Sequence, residues 1–164
     1  MGLLSFIKSA GEKLFGKGTA SAAQADSANP VDRAAADAEA GKAITTFVRS
    51  LKLAPDDLAV TYDGATETVT VTGTAPDQAT RERIVLAAGN VQGVTSVDDR
   101  MTVIKAAPEA RFHTVVRGDT LSAIAKTYYG NANKYTAVFE ANKPMLAHPD
   151  KIYPGQVLRI PEVA

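Results

Sequence analysis

The spacing of apolar residues changes several times along this chain of 164 residues, and this change constrains the fold more than any other feature. Apolar and polar residues alternate over 58–62 and again over 68–72, on either side of the turn pair Asp63-Gly64. β-Branched residues with a period of two around such a turn predict a β-hairpin. The neighbouring segments must then supply helices that cover one face of a small sheet.

Helical spacing occurs on both sides of the hairpin. The Asn29-Pro30 pair is typical of an N-cap followed by proline at the first helical position, and it predicts a helix over 30–53. A second helix is predicted over 76–90, because a Pro-Asp pair opens it and a Gly-Asn pair ends it. Residues 94–103 predict a third strand. The order helix, strand, strand, helix, strand indicates an α+β fold class.

A second unit is predicted after a short linker that contains proline. Its pattern indicates a strand over 113–116, helices over 123–128 and 135–142, and a closing strand over 157–160. The order is therefore βααβ. The predicted divisions of the chain are an N-terminal helix (1–16), an Ala/Ser-rich linker with the start of a helix (17–38), the first unit (39–105), a linker (106–111) and the second unit (112–162).

The first residues of the chain form an amphipathic pattern. Apolar residues recur at helical spacing over 3–15, and glycines follow at Gly16 and Gly18. We expect a short helix whose apolar face docks on the first unit. Binding to a membrane surface is the alternative, but the segment has few basic residues for an interfacial helix.

Composition excludes several classes of function. Lys plus Arg and Asp plus Glu each number 18, so the chain lacks the basic excess of most nucleic-acid-binding proteins. There is no cysteine, which excludes disulfide scaffolds and thiolate metal sites. No segment is as long and apolar as a membrane span, and we read no export signal, so we expect a cytoplasmic monomer. The chain has no nucleophile-elbow motif, and we expect no enzyme activity.

The second unit closely resembles a LysM domain. The resemblance is carried by FHTVVRGDTLSAIA over 112–125, YYGN over 128–131, AN over 141–142 and IYPGQVLRIP over 152–161. LysM domains bind polymers of N-acetylglucosamine in a shallow groove between two loops. The resemblance implies weak glycan binding here, in a groove formed by Gly118, Asp119, Thr120, Leu121, Asp150, Lys151 and Ile152.

The first unit resembles a BON domain through its hairpin, the segment VTVTG over 69–73 and the later V-x-G-V pattern over 91–94. One BON domain followed by one LysM domain resembles a family of small bacterial potassium-binding proteins. In that family main-chain carbonyls hold the ion. The resemblance implies that K⁺ is held by carbonyls of Ile7, Ala10, Glu12, Gly89, Val91 and Val94.

Elementary chemistry is compatible with such a site. Carbonyl oxygens can replace the hydration shell of K⁺, so no acidic or histidine motif is required. The C-terminus of the helix that ends near residue 89 leaves carbonyls without helical partners and has a partial negative charge. Without the resemblance, Gly89 would be interpreted as a helix cap and Gly93 as a turn residue.

Two functions from different classes remain after this reasoning. The first is a cytoplasmic potassium-binding protein that senses or buffers the ion. The alternative is a peptidoglycan-binding envelope protein that is tethered through its LysM domain. Pairs of adjacent acids, at 56–57 and 98–99, could bind a divalent cation, but such pairs are usually solvated.

Overall fold

The structure is a computed structural model that describes residues 2–5, 30–91 and 93–163, with only the backbone described for 2–5 and 30–32. It confirms the predicted α+β class. The elements of the N-terminal unit (residues 2–105) are β1 (Gly2–Ser5), α1 (Pro30–Ser50), β2 (Ala59–Asp63), β3 (Thr68–Thr72), β4 (Thr74–Asp77), α2 (Gln78–Gly89), β5 (Ser96–Asp99) and β6 (Thr102–Lys105). No described helix is both long enough and apolar enough to cross a membrane.

The C-terminal unit (residues 111–163) has the predicted order of strand, helix, helix, strand. Its elements are β7 (Arg111–Thr114), α3 (Leu121–Tyr129), a 3-10 turn (Ala132–Lys134), α4 (Tyr135–Ala141) and β8 (Val157–Ile160). Strands β7 and β8 pair antiparallel, and β8 has the predicted bounds. The Thr120 hydroxyl caps helix α3 by accepting the Ala123 N–H at 3.1 Å, and Gly130 ends this helix in the left-handed conformation.

The main sheet has the strand order β1-β5-β3-β2, with a parallel pair at its centre. Strands β3 and β5 are parallel, and Val69 lies opposite Val97 in the middle of the sheet. The predicted hairpin is confirmed as the antiparallel pair of β2 and β3. Both central valines are fully buried, so strands β3 and β5 contribute directly to the hydrophobic core.

A bend divides the parallel pair, and β4 and β6 continue it as a second two-stranded sheet. The predicted single strand over 94–103 is therefore two strands, and β4 is not among the predicted elements. Gly73 sits at the bend with a φ of 139°, and a Cβ atom there would lie 3.2 Å from the Leu58 Cα. On the other strand, the buried Met101 interrupts pairing while its N–H donates to the Asp99 carboxylate at 3.0 Å.

The prediction of a helix over 3–15 is wrong for its first residues. Residues Gly2–Ser5 form strand β1, which pairs antiparallel with β5 so that Ser5 lies opposite Ser96. The pairing satisfies backbone groups along the edge of β5 that an isolated helix would leave exposed. The rest of the predicted helix, and the predicted linker up to residue 29, lie outside the described residues.

Helix α1 packs across the sheet through one buried face. Ala40, Ile44 and Val48 are at most 1% exposed and recur at helical spacing. Gly41 permits close contact with strand β2, because a Cβ atom there would lie 3.1 Å from the Val60 carbonyl oxygen. The helix ends at Ser50 rather than at residue 53, since Lys52 adopts a left-handed backbone with φ 58°.

Helix α2 is buried on almost every side. Its N-cap is Asp77, whose carboxylate accepts the Thr80 N–H at 2.7 Å. Five consecutive residues over 84–88 are at most 4% exposed. A helix that is buried on several sides needs a partner on each of them. The sheet covers one side of α2, and the C-terminal unit, through β8, packs against the other.

Two buried asparagine side chains form hydrogen bonds with the backbone of strand β8. The Asn90 side chain donates to the Val157 carbonyl at 3.0 Å and accepts the Val157 N–H at 2.9 Å. Two residues further along the strand, Asn142 makes the same pair of contacts with Arg159, at 2.9 and 2.7 Å. Asn142 belongs to the C-terminal unit, whereas Asn90 reaches across from the N-terminal unit. The side-chain amide of Asn90 therefore links the two units by hydrogen bonds.

A buried carboxylate forms the second polar contact between the units. Glu82 in α2 is 4% exposed, and its carboxylate accepts hydrogen bonds from the Gln78 amide at 3.0 Å and the Ala110 N–H at 2.9 Å. It also forms an ion pair with Arg159 on β8. One side chain thus joins the helix, the linker and the last strand. Removing one partner of such a pair typically costs about 3–5 kcal/mol.

We predict that Asn90→Ala lowers the free energy of unfolding by about 1–3 kcal/mol, because it leaves two buried backbone groups of Val157 without their partners. Urea denaturation followed by circular dichroism measures the change. Asn133→Ala, at an exposed asparagine, is the matched control and should have almost no effect. A loss below about 0.5 kcal/mol in Asn90→Ala, within the range of ordinary surface substitutions, would contradict this role.

Candidate functional site

The end of helix α2 and the turn after it contain the three described residues of the predicted ion site. Gly89 is the last residue of the helix, and Val91 and Val94 lie in the turn that follows it. All three are buried, the two valines at no more than 1% exposure. The Val94 N–H donates to the Val91 carbonyl at 3.2 Å, which closes the turn. The described half of the predicted site is therefore one compact stretch of backbone.

The electrostatics at this end of α2 favour a cation. The last four carbonyls of a helix have no partner within the helix, and together they have a partial negative charge. The Leu86 carbonyl accepts the Asn90 N–H at 2.9 Å, and the last turn of α2 contains no basic side chain that would offset this charge. Carbonyl oxygens in such a position can coordinate an ion without any carboxylate.

Long-range hydrogen bonds to two other elements hold this turn in place. The Tyr62 hydroxyl on β2 donates to the Gly93 carbonyl at 2.9 Å, and the Asn90 amide pairs with Val157 on β8. Sequence reasoning missed both contacts. The sequence pattern marks Tyr62 only as one position in a strand alternation, and Asn90 only as a helix cap. Their partners lie 31 and 67 residues away, so no local pattern could have indicated either contact.

The other three predicted ion ligands, Ile7, Ala10 and Glu12, lie outside the described residues. The described strand β1 ends just before them. Because Ser5 pairs with Ser96, the chain leaves β1 beside the segment that follows Val94. The assignment of these three residues therefore stays a prediction.

The predicted glycan groove lies at one end of the β7–β8 pair. The Val115 N–H donates to the Gln156 carbonyl and the Gly155 N–H donates to the Val115 carbonyl, both at 2.8 Å. These bonds bring the bases of the two predicted loops together. Gly118, Thr120, Asp150 and Lys151 are exposed, Asp119 and Ile152 are half-buried, and Leu121 is buried. The Leu121 side chain belongs to the core and is not available to a ligand.

Asp119 has a structural role in the first of these loops. Its carboxylate accepts the Val116 N–H at 3.0 Å and lies 2.8 Å from the His113 Nε2. The other ring nitrogen of His113 lies 3.2 Å from the Tyr128 hydroxyl. Burial raises the pKa of the Asp119 carboxyl, but the hydrogen bonds from His113 and Val116 outweigh this effect. The pKa of Asp119 therefore lies below its ordinary value.

Three of the four acids in the adjacent pairs contact neighbouring residues. Asp57 accepts the Thr74 N–H at 3.0 Å, Asp98 pairs with Arg100 at 2.8 Å, and Asp99 pairs with Arg81 at 2.8 Å. Across the described ranges, no three histidine or acidic side chains gather as metal ligands.

Comparison with protein families identifies both units. The BON domain model matches residues 36–105, and the LysM domain model matches residues 113–161. Both predicted resemblances are therefore confirmed. The turn after α2 falls in the BON domain, and the loops around Asp119 and Lys151 fall in the LysM domain.

Two curated relatives show how far the similarity extends. The chain is 45% identical to "Potassium binding protein Kbp" of Escherichia coli O6:H1 strain CFT073, over 99% of this chain and 99% of the relative. It is also 39% identical to an uncharacterized protein of Deinococcus radiodurans over 85 residues. That second match covers 45% of this chain and 33% of the relative, so it concerns only a part of each protein.

We predict that Asp119→Asn destabilises the protein at neutral pH and that the difference from wild type narrows as the pH falls below about 3.9. A lowered carboxyl pKa stabilises the folded state fully above the unfolded value of about 3.9, and the contribution is lost as the pH falls through the folded value. Melting temperatures between pH 7 and pH 3 measure this. Asp150→Asn, whose side chain is 91% exposed, is the control and should stay near wild type. A constant gap between wild type and Asp119→Asn at every pH would contradict the prediction.

Proposed function

Because the chain belongs to the family of the potassium binding protein Kbp, we propose that it binds potassium ions and acts as a sensor or buffer of potassium in the cytoplasm, without catalysis. The observation that carries this proposal is the 45% identity to Kbp over 99% of both chains. A match of this extent includes the BON domain, the LysM domain and the segment before them.

We place the ion at the C-terminal end of helix α2, where main-chain carbonyls of Gly89, Val91 and Val94 would coordinate it. Three properties support this placement. The segment is buried, the helix end has a partial negative charge, and the turn is fixed by hydrogen bonds from two other strands. A buried, rigid group of carbonyls can replace the hydration shell of a weakly hydrated cation.

The remaining carbonyls would come from Ile7, Ala10 and Glu12. Strand β1 supports this part of the proposal, because it brings the chain at Ser5 opposite Ser96. Two further residues can extend at most about 7 Å, so Ile7 is within reach of the turn at Val94. The ion would then bridge the N-terminal segment and the BON domain.

The LysM match favours a second candidate function, which is binding of N-acetylglucosamine polymers in the envelope. The exposed loop residues Gly118, Thr120, Asp150 and Lys151 are compatible with it. Two neighbouring residues have structural roles: Leu121 packs in the core, and Asp119 contacts His113. These roles explain both residues without a bound glycan. We therefore rank glycan binding second.

We predict that potassium chloride stabilises the protein and that sodium chloride at the same concentration does not. An ion that binds only the folded state adds about 2.7 kcal/mol at one hundred times its dissociation constant. Isothermal titration calorimetry and thermal melts, with salt-free protein and matched ionic strength, measure both binding and stabilisation. Equal shifts with both salts would contradict a selective site. Binding of N-acetylglucosamine oligomers without any response to potassium would favour the second candidate.

A further inference from the structure

The carbonyl of Gly93 accepts a hydrogen bond from a side chain on strand β2. Tyr62 lies on β2, is 5% exposed and donates its hydroxyl to that carbonyl at 2.9 Å. Gly93 stands between Val91 and Val94, which are two of the proposed ion ligands. The phenol therefore contacts the backbone of the site itself.

The peptide unit that joins Gly93 to Val94 is held at both ends. Its carbonyl accepts the Tyr62 hydroxyl, and its N–H donates to the Val91 carbonyl at 3.2 Å. A peptide unit is planar and trans, so the direction of its carbonyl determines the direction of its N–H. Through this unit, Tyr62 controls the donor that orients the Val91 carbonyl.

Gly93 allows this peptide unit a wider choice of orientations than another residue would. Gly93 has a φ of 93°, in a region that glycine enters readily and other residues rarely adopt. Peptide units beside glycine can therefore take more than one orientation at low cost. A hydrogen bond to the Gly93 carbonyl selects one of these orientations.

Tyr62 is itself fixed by tight packing. Helix α1 lies so close to β2 that a Cβ atom on Gly41 would come within 3.1 Å of the Val60 carbonyl oxygen and 3.6 Å of the Tyr62 nitrogen. The backbone that carries the phenol is thus held between the helix and strand β3. A donor on such a rigid support can hold a carbonyl in one direction.

We propose that Tyr62 is a positioning residue for ion binding, because its hydroxyl sets the orientation of the Gly93–Val94 peptide and thereby that of the Val91 carbonyl. This inference rests on the proposed function. Selectivity among monovalent cations depends on the number and arrangement of carbonyl dipoles. A change in their orientation should therefore alter the preference for potassium over sodium as well as the affinity.

The test compares Tyr62→Phe with Tyr129→Phe in the full-length protein. Tyr129 is a matched control, since its hydroxyl donates to the Pro161 carbonyl at 2.6 Å within the LysM domain. Calorimetric titrations with potassium chloride and sodium chloride give both affinities. We expect Tyr62→Phe to bind potassium about tenfold more weakly, equivalent to about 1.4 kcal/mol, with a smaller potassium-to-sodium ratio. Tyr129→Phe should keep both values.

A rescue variant separates positioning from general destabilisation. Replacement of Tyr62 by 4-aminophenylalanine keeps a donor at the same place and should restore potassium affinity to within about threefold of wild type, a difference of about 0.7 kcal/mol. Potassium binding by Tyr62→Phe within twofold of wild type, with an unchanged ratio, would overturn the inference. A folded 4-aminophenylalanine variant without potassium affinity would also overturn it. If wild type itself does not bind potassium, the proposed function fails as well.

Discussion

The side-chain amide of Asn90 pairs with both backbone groups of Val157, and this contact joins the end of helix α2 to the last strand of the chain. Both partners are buried, so each hydrogen bond replaces one that water would otherwise provide. On the preceding turns of α2, Glu82 adds the ion pair with Arg159. Helix α2 and its C-cap residue Asn90 thus provide polar contacts between the BON and LysM domains, and the same helix ends in the carbonyls of the candidate site.

Much of the fold followed from local patterns. The hairpin of β2 and β3, the cap at Asp77 and the bounds of β8 were all predictable, because each depends on residues close together in the sequence. Strand β1 was not, since its four residues fit a helical pattern and become a strand only beside β5. The contact of Glu82 with Arg159 joins residues 77 positions apart, beyond the range of any periodicity argument.

The candidate site shows a different limit of sequence reasoning. Main-chain carbonyls are present at every residue, so a site made of them has no characteristic side chains. The helix end at Gly89 could be recognised as a source of unpaired carbonyls, but only the resemblance to a family indicated an ion there. The side chains that hold the turn, Tyr62 and Asn90, are ordinary polar residues whose importance depends on long-range contacts.

The central claim is that backbone carbonyls of the turn after α2 coordinate potassium. The most direct measurement is a titration of protein labelled with ¹³C at its backbone carbonyls, followed by NMR. The account predicts that potassium chloride shifts the carbonyl resonances of Gly89, Val91 and Val94, and that sodium chloride at the same concentration leaves them unchanged. Potassium binding that moves side-chain carboxylate resonances while these three carbonyls stay constant would contradict it.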